Sequence, residues 1–191
     1  MANRLVVFFD YNCPFCYLES LRLQELENRG ITLEWRSYQK PENASPPAKP
    51  SDYGEQVKRY LKQVREEKGL AIFPPSKKGS TVLAHTGGKY AAAEGKYSTY
   101  QQLVFEAIWR LGETVEKADQ LADIAFQAGM NRGEFKAALD NPLYREAAQA
   151  DFDEAERKRI WTIPYYIGDK GYLDIYHFNE IPSLSTIAGL F

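Results

Sequence analysis

Leu5-Val6-Val7-Phe8-Phe9 is an unbroken apolar run rich in β-branched and aromatic residues, and a strand of that kind is stable only with both faces covered. The run ends at Asp10, and four residues later Pro14 stands where a helix can begin without an amide. Tyr17, Leu18, Leu21, Leu23 and Leu26 then outline one helical face, closed by Gly30. Ile31, Leu33 and Trp35 alternate with Thr32, Glu34 and Arg36, which is the period-two pattern of a second strand. The chain therefore opens as strand, helix, strand, and a layered α/β core is the arrangement that covers such a strand.

Pro41, Pro46, Pro47 and Pro50 make residues 39–51 a linker, because neither a helix nor a strand interior tolerates that composition. Beyond it Tyr53, Val57, Tyr60, Leu61 and Val64 share a helical face that ends at Gly69, and a broken stretch follows through Pro74-Pro75. Helices are expected over 81–94 (weakened by Gly87-Gly88), 99–111, 115–128, 132–139 and 142–159. Ser80, Ser98, Thr114, Asn131 with Glu134, and Asn141 before Pro142 are their expected caps. Tyr165-Tyr166-Ile167 and Tyr172–Tyr176, joined by Gly168-Asp169-Lys170-Gly171, read as a hairpin that a short helix at about 183–189 covers. The expected organisation is an α/β domain from residues 1–38 and 160–191, a connecting helix 142–159, the linker 39–51 and a helical insertion 52–141.

With 191 residues, 44% of them apolar, the chain can bury one real core with an added lobe. Its 24 Lys and Arg are interspersed with acids to a net charge of −2, so nucleic-acid binding has no electrostatic support. The strongest apolar run is strand-sized, far short of the roughly 20 residues that cross a bilayer. Taking Met1 as the natural start, no leader fits before the first strand, and a cytoplasmic location is expected.

Cys13 and Cys16 are too close in sequence to staple distant segments. If Cys13 caps the helix that Pro14 begins, the free amides and the positive helix end favour its thiolate and mark it as a nucleophile. Cys16, one turn on, is the expected resolving thiol. A zinc site lacks a second cysteine pair, and His85 and His177 are remote in sequence. Two buried cysteines at this spacing by coincidence are the plainer alternative.

The run Cys13-Pro14-Phe15-Cys16-Tyr17 after a strand ending in Asp, the helical insertion, and Ile163-Pro164 before a hairpin together resemble the DsbA-like thioredoxin family. The likeness is strongest to its cytoplasmic FrnE-like oxidoreductases, which Ser80–His85 and Leu103–Ala107 also resemble. The resemblance spans Leu5 to about Leu190 and implies a thioredoxin-like fold, β-α-β followed by β-hairpin-α, with an inserted all-helical domain. It implies a disulfide oxidoreductase with catalytic Cys13 and Cys16, a cis-proline at Pro164, and substrate contacts from Pro14, Phe15, Ile163 and Pro164. Phe15 is expected to be an exposed apolar contact. An ordinary trans proline at a strand start is the alternative at Pro164. Substrates would be protein or small-molecule thiols and disulfides. No tightly bound cofactor or metal is expected, and glutathione is the candidate redox partner.

Glycines common before the proline in that family are replaced here by Arg159-Ile160-Trp161-Thr162, so Trp161 either shapes the substrate surface or packs in the core. Asp10 either assists proton movement at Cys16 or is a solvated turn residue. His85 either reaches the cleft or is a satisfied structural histidine. The scaffold also resembles 2-hydroxychromene-2-carboxylate isomerases and kappa-class glutathione transferases, which implies glutathione-dependent isomerase or transferase activity as the alternative. Those relatives typically carry Ser where this chain has Cys13.

Overall fold

Strand β1 (Arg4–Phe9) lies inside a four-stranded sheet, between β2 (Thr32–Ser37) and β3 (Tyr165–Gly168), with β4 (Gly171–Asp174) at the edge beyond β3. The coordinates, a computed structural model, describe residues 3–191. β1 pairs in parallel with β2, Arg4 opposite Thr32 through Phe9 opposite Ser37, and antiparallel with β3, Val6 opposite Ile167 and Phe8 opposite Tyr165. A two-residue turn, Asp169-Lys170, joins β3 to β4.

Strand alternation sends Leu5 and Val7 to one face, where they pack with Leu23, Leu26, Tyr166 and Ile187. Those partners bring α1 (Pro14–Arg22), α2 (Gln24–Asn28) and α9 (Leu184–Ala188) onto that side. Phe8 points the other way, to Ala155 of α8 (Pro142–Arg157) and to Tyr38, Ile160 and Tyr165. The third and largest cluster joins Phe9, Tyr11, Cys16 and Tyr17 to α3 (Tyr53–Lys68), α4 (Val82–Ala93), α5 (Tyr97–Trp109), α6 (Ala118–Gln127) and α7 (Arg132–Asp140). The strand end and the first helix thus share one continuous core with the inserted helices. The fold is the expected thioredoxin-like α/β arrangement with a helical insertion.

Several helix ends differ from the sequence expectation, each for a local reason. The first helix is interrupted at Leu23, where the backbone (φ −69°, ψ −16°) tightens and the Leu26 amide bonds to the Leu23 carbonyl at 2.9 Å. α4 is capped at Thr81, with the Ser80 hydroxyl accepting from the Val82 amide at 3.4 Å. α5 starts at Tyr97, ahead of Ser98, because Gly95 (φ 66°) reverses the chain and the Lys96 amide closes onto the Ala91 carbonyl at 2.7 Å. α6 begins at Ala118 and not near Thr114, since Val115 is buried in the core as an anchor of the connection. Asn131 and Asn141 cap α7 and α8 as expected. Gly87 sits inside α4 because a Cβ there would lie 2.4 Å from the Phe135 ring and 2.5 Å from the Tyr100 hydroxyl. Close approach of α4 to α5 and α7 outweighs the helix-propensity cost of about 1 kcal/mol.

One buried carboxylate ties three elements together. Asp151 of α8, 1% exposed, accepts the Ser37 amide at 2.8 Å, the Arg36 guanidinium at 3.0 Å and the Lys89 ammonium of α4. Among the described residues no helix is long and apolar enough to cross a membrane. Asp151→Ala strands the Ser37 amide in the interior and takes from Lys89 its carboxylate, while Arg36 keeps Glu34 and Glu154, so urea denaturation is expected to report a loss of about 2–3 kcal/mol.

Candidate active site

The segment from Asp10 to Cys13 leaves the end of β1 and is held from the insertion by side chains far away in sequence. The Trp109 indole donates to the Tyr11 carbonyl at 2.9 Å, and the Asn12 side-chain amide donates to the Gly79 carbonyl at 2.8 Å. Within the turn, the Cys13 amide donates to the Asp10 carbonyl at 3.0 Å. The Asp10 carboxylate accepts the Asn12 amide on Oδ1 at 3.0 Å, and Oδ2 receives the Thr81 hydroxyl and lies 3.0 Å from His85 Nε2.

That turn delivers Cys13 to the N-cap of α1 in an extended conformation (φ −96°, ψ 114°), with Pro14 at the first helical position. The Cys13 sulfur accepts the Cys16 amide at 3.3 Å, filling the place a Ser or Asn side chain takes at ordinary helix starts. The same sulfur lies 3.8 Å from the Ile163 carbonyl, and the Ile163–Pro164 peptide bond is cis. Both cysteines are free thiols, Cys13 partly exposed and Cys16 fully buried. Burial pushes the Cys16 thiol well above its ordinary range; the hydrogen bond and charge of Cys13 add to the rise, and a bond to the Asp10 backbone opposes it.

Cys13 opens onto a cleft of about 440 Å³ walled by Pro14, Ile163 and Pro164, by Tyr53 and Val57 of α3, and by the aromatic segment Tyr176–Phe178. Phe15 lines the same cleft but lacks the expected exposure. It is 8% exposed, because Phe178 stacks on it (centroids 5.9 Å apart, planes at 12°) and Tyr60 closes from α3 at 6.1 Å. Tyr176, 41% exposed, is the outward aromatic of the wall. Trp161 is half-buried and belongs to none of the three core clusters.

Asp10 is not a solvated turn residue: its side chain is 17% exposed and both oxygens are engaged. His85 does not line the cleft and meets the cysteine-bearing turn through the Asp10 carboxylate and the Tyr11 ring. Its ring is wedged beside Phe9, Tyr11 and Phe152, with Nδ1 buried and without a hydrogen-bond partner. Among the described residues no group of three His, Cys, Asp or Glu side chains is arranged to hold a metal ion. Sequence patterns gave no sign of Gly79, Trp109 or Lys49 at the site. Thr81 stood out only within the family-like Ser80–His85 run.

The raised Cys16 thiol carries a stability signature. Folding favours its neutral form, so its contribution is complete below the ordinary thiol value of 9.0 and is lost as pH rises through the folded value. In urea titrations of the reduced protein, stability is expected to fall as pH climbs past about 9, and Cys16→Ala should remove the earliest part of that fall. The part due to buried phenols such as Tyr11 and Tyr100, which burial also raises, remains.

Over 181 residues the chain is 28% identical to the uncharacterized protein YwbO of Bacillus subtilis (strain 168), covering 88% of each. It is 24% identical over 172 residues to the 2-hydroxychromene-2-carboxylate isomerase of Pseudomonas putida, covering 85% of this chain and 84% of that one. The structure superposes on a probable DsbA oxidoreductase of Streptomyces coelicolor with a TM-score of 0.77 at 20% identity, over 98% of this chain and 88% of the other. The sequence profile of the DSBA-like thioredoxin domain matches residues 4–178, from the start of β1 to the aromatic segment that walls the cleft, and the chain belongs to that family.

Proposed function

We propose that the protein is a thiol–disulfide oxidoreductase working through Cys13 and Cys16. The observation that carries this reading is the partly exposed Cys13 sulfur at the helix N-cap, accepting the amide of a fully buried Cys16 one turn on. In the proposed cycle the Cys13 thiolate attacks one sulfur of a substrate disulfide, the S–S bond breaks, and the other half leaves as a thiolate. Cys16 then gives up its proton and attacks Cys13, forming the intramolecular disulfide and releasing the second thiol. Two electrons pass to the substrate, and the two thiol protons end on its products; the reverse sequence oxidises a dithiol.

The Ile163 backbone, beside the Cys13 sulfur, is suited to an extended substrate, with Pro14 and Pro164 as the apolar floor. Glutathione is the proposed small-molecule redox partner. Within the family, the Cys-Pro-Phe-Cys-Tyr run and the Ser80–His85 stretch support placement with the FrnE-like oxidoreductases of the cytoplasm. Likeness to the Pseudomonas putida isomerase favours a second reading, a glutathione-dependent isomerase, in which Cys16 has no chemical part.

The two readings separate on Cys16. Under the exchange reading, Cys13→Ser abolishes reduction of insulin or glutathione disulfide. Cys16→Ala, by contrast, accumulates a mixed disulfide on Cys13 that intact-mass spectrometry detects. Turnover of disulfides by Cys13→Ser at the native rate would sink the exchange reading, and isomerisation of a chromene substrate that survives Cys16→Ala would establish the second.

A further inference from the structure

The cleft above Cys13 differs in charge from the rest of the molecule. Although the chain as a whole carries −2, three lysines, Lys49, Lys58 and Lys78, line this one opening. Lys58 is paired with Glu55 at 2.7 Å. Lys49, from the proline-rich segment, lays its ammonium over the Tyr53 ring, 4.2 Å from the centroid. Lys78, exposed, also lines the opening, just before Gly79, which holds Asn12.

The nearest carboxylates are hydrogen-bonded to other groups and form no ion pair with Lys49 or Lys78 among the described residues. Asp10 takes the Asn12 amide, the Thr81 hydroxyl and His85, and Glu180 takes the amides of Tyr176 and His177 at 3.0 Å each. Burial lowers the Lys49 ammonium from its ordinary range, while negative charge at Cys13 and Glu180 raises it. The ammonium is therefore in electrostatic reach of the nucleophile and of whatever is joined to it.

We infer that Lys49 and Lys78 select the substrate, and that the cleft takes disulfides bearing carboxylates next to the reacting sulfur in preference to neutral or cationic ones. The inference rests on the exchange reading and names its substrate class. The carboxylate stays a bystander: Cys13 attacks the nearer sulfur, the S–S bond breaks, the leaving thiolate departs, and Cys16 completes the two-electron transfer. The lysine side chains hold the carboxylate during encounter and in the mixed disulfide, in a cleft where low-dielectric walls strengthen the field.

The test is a single-turnover reaction of the reduced full-length protein with three disulfides: dithiobis(nitrobenzoate), which is dianionic, dithiodipyridine, which is uncharged, and cystamine, which is dicationic. Each rate is divided by the rate with a neutral cysteine peptide, removing intrinsic reactivity. At low salt the normalised rate for the dianion should exceed that for the dication by about tenfold, and the gap should close in about 0.5 M salt. Lys49→Gln with Lys78→Gln should cut the dianion-to-neutral ratio about fivefold, and the Lys→Arg pair should restore it.

A second arm applies the Gln pair to glutathione disulfide and to a cysteine peptide disulfide with acidic flanks. Loss on the first alone assigns the site to small carboxylate thiols, and loss on the second alone assigns it to acidic polypeptides. Normalised rates independent of charge, or a ratio unmoved by the Gln pair, overturn the inference while leaving the exchange reading intact. Failure to reduce any of the disulfides overturns both.

Discussion

One of the free amides at the start of a helix can be satisfied by a capping side chain, and here that side chain is a sulfur. Everything else at the site follows from making the Cys13 cap possible. β1 must end one turn before it, Pro14 must tolerate the first helical position, and the Asp10–Asn12 turn must be fixed firmly enough that the sulfur meets the Cys16 amide at 3.3 Å. The cap separates two chemically identical side chains into different environments. One faces an open cleft, and the other is sealed into the core with its thiol form favoured.

The firmness of the turn comes from the helical insertion. Thr81 and His85 hold the Asp10 carboxylate, Gly79 holds Asn12, and Trp109 holds the Tyr11 carbonyl. Because Phe9, Tyr11 and Cys16 belong to the same core cluster as the inserted helices, loosening the helices would move Cys13. The insertion also supplies one wall of the cleft through α3, and the hairpin end supplies the other through Tyr176–Phe178. The opening over Cys13 is therefore built from three stretches distant in sequence.

What could be read from the chain was what local pattern encodes. The apolar run of β1, the alternation of β2, the hairpin residues, the asparagine caps and the spacing of Cys13 and Cys16 each write their structure within a few residues. What could not be read depends on pairs 67, 71, 75 and 98 residues apart, which hold the turn and leave no periodic trace. Phe15 illustrates the limit. Its place beside the cysteines suggested an exposed contact, and only the arrival of Tyr60 and Phe178 from two other segments buries it. Lys49 is the reverse case, a linker residue by composition that tertiary structure brings to the cleft. Gly87 likewise reads as a helix weakness until Phe135 and Tyr100 are seen to need the space.

The central claim is that Cys13 and Cys16 exchange electrons with thiols as a pair. Equilibrating the protein across a series of reduced and oxidised glutathione ratios, quenching with acid and counting free thiols by alkylation and mass measures that directly. The account requires one reversible two-electron transition in which both thiols vanish together, at a potential between about −270 and −120 mV. A protein that keeps Cys16 as a free thiol across the whole series, or that ends as a glutathione adduct on Cys13 without an intramolecular bond, would contradict it.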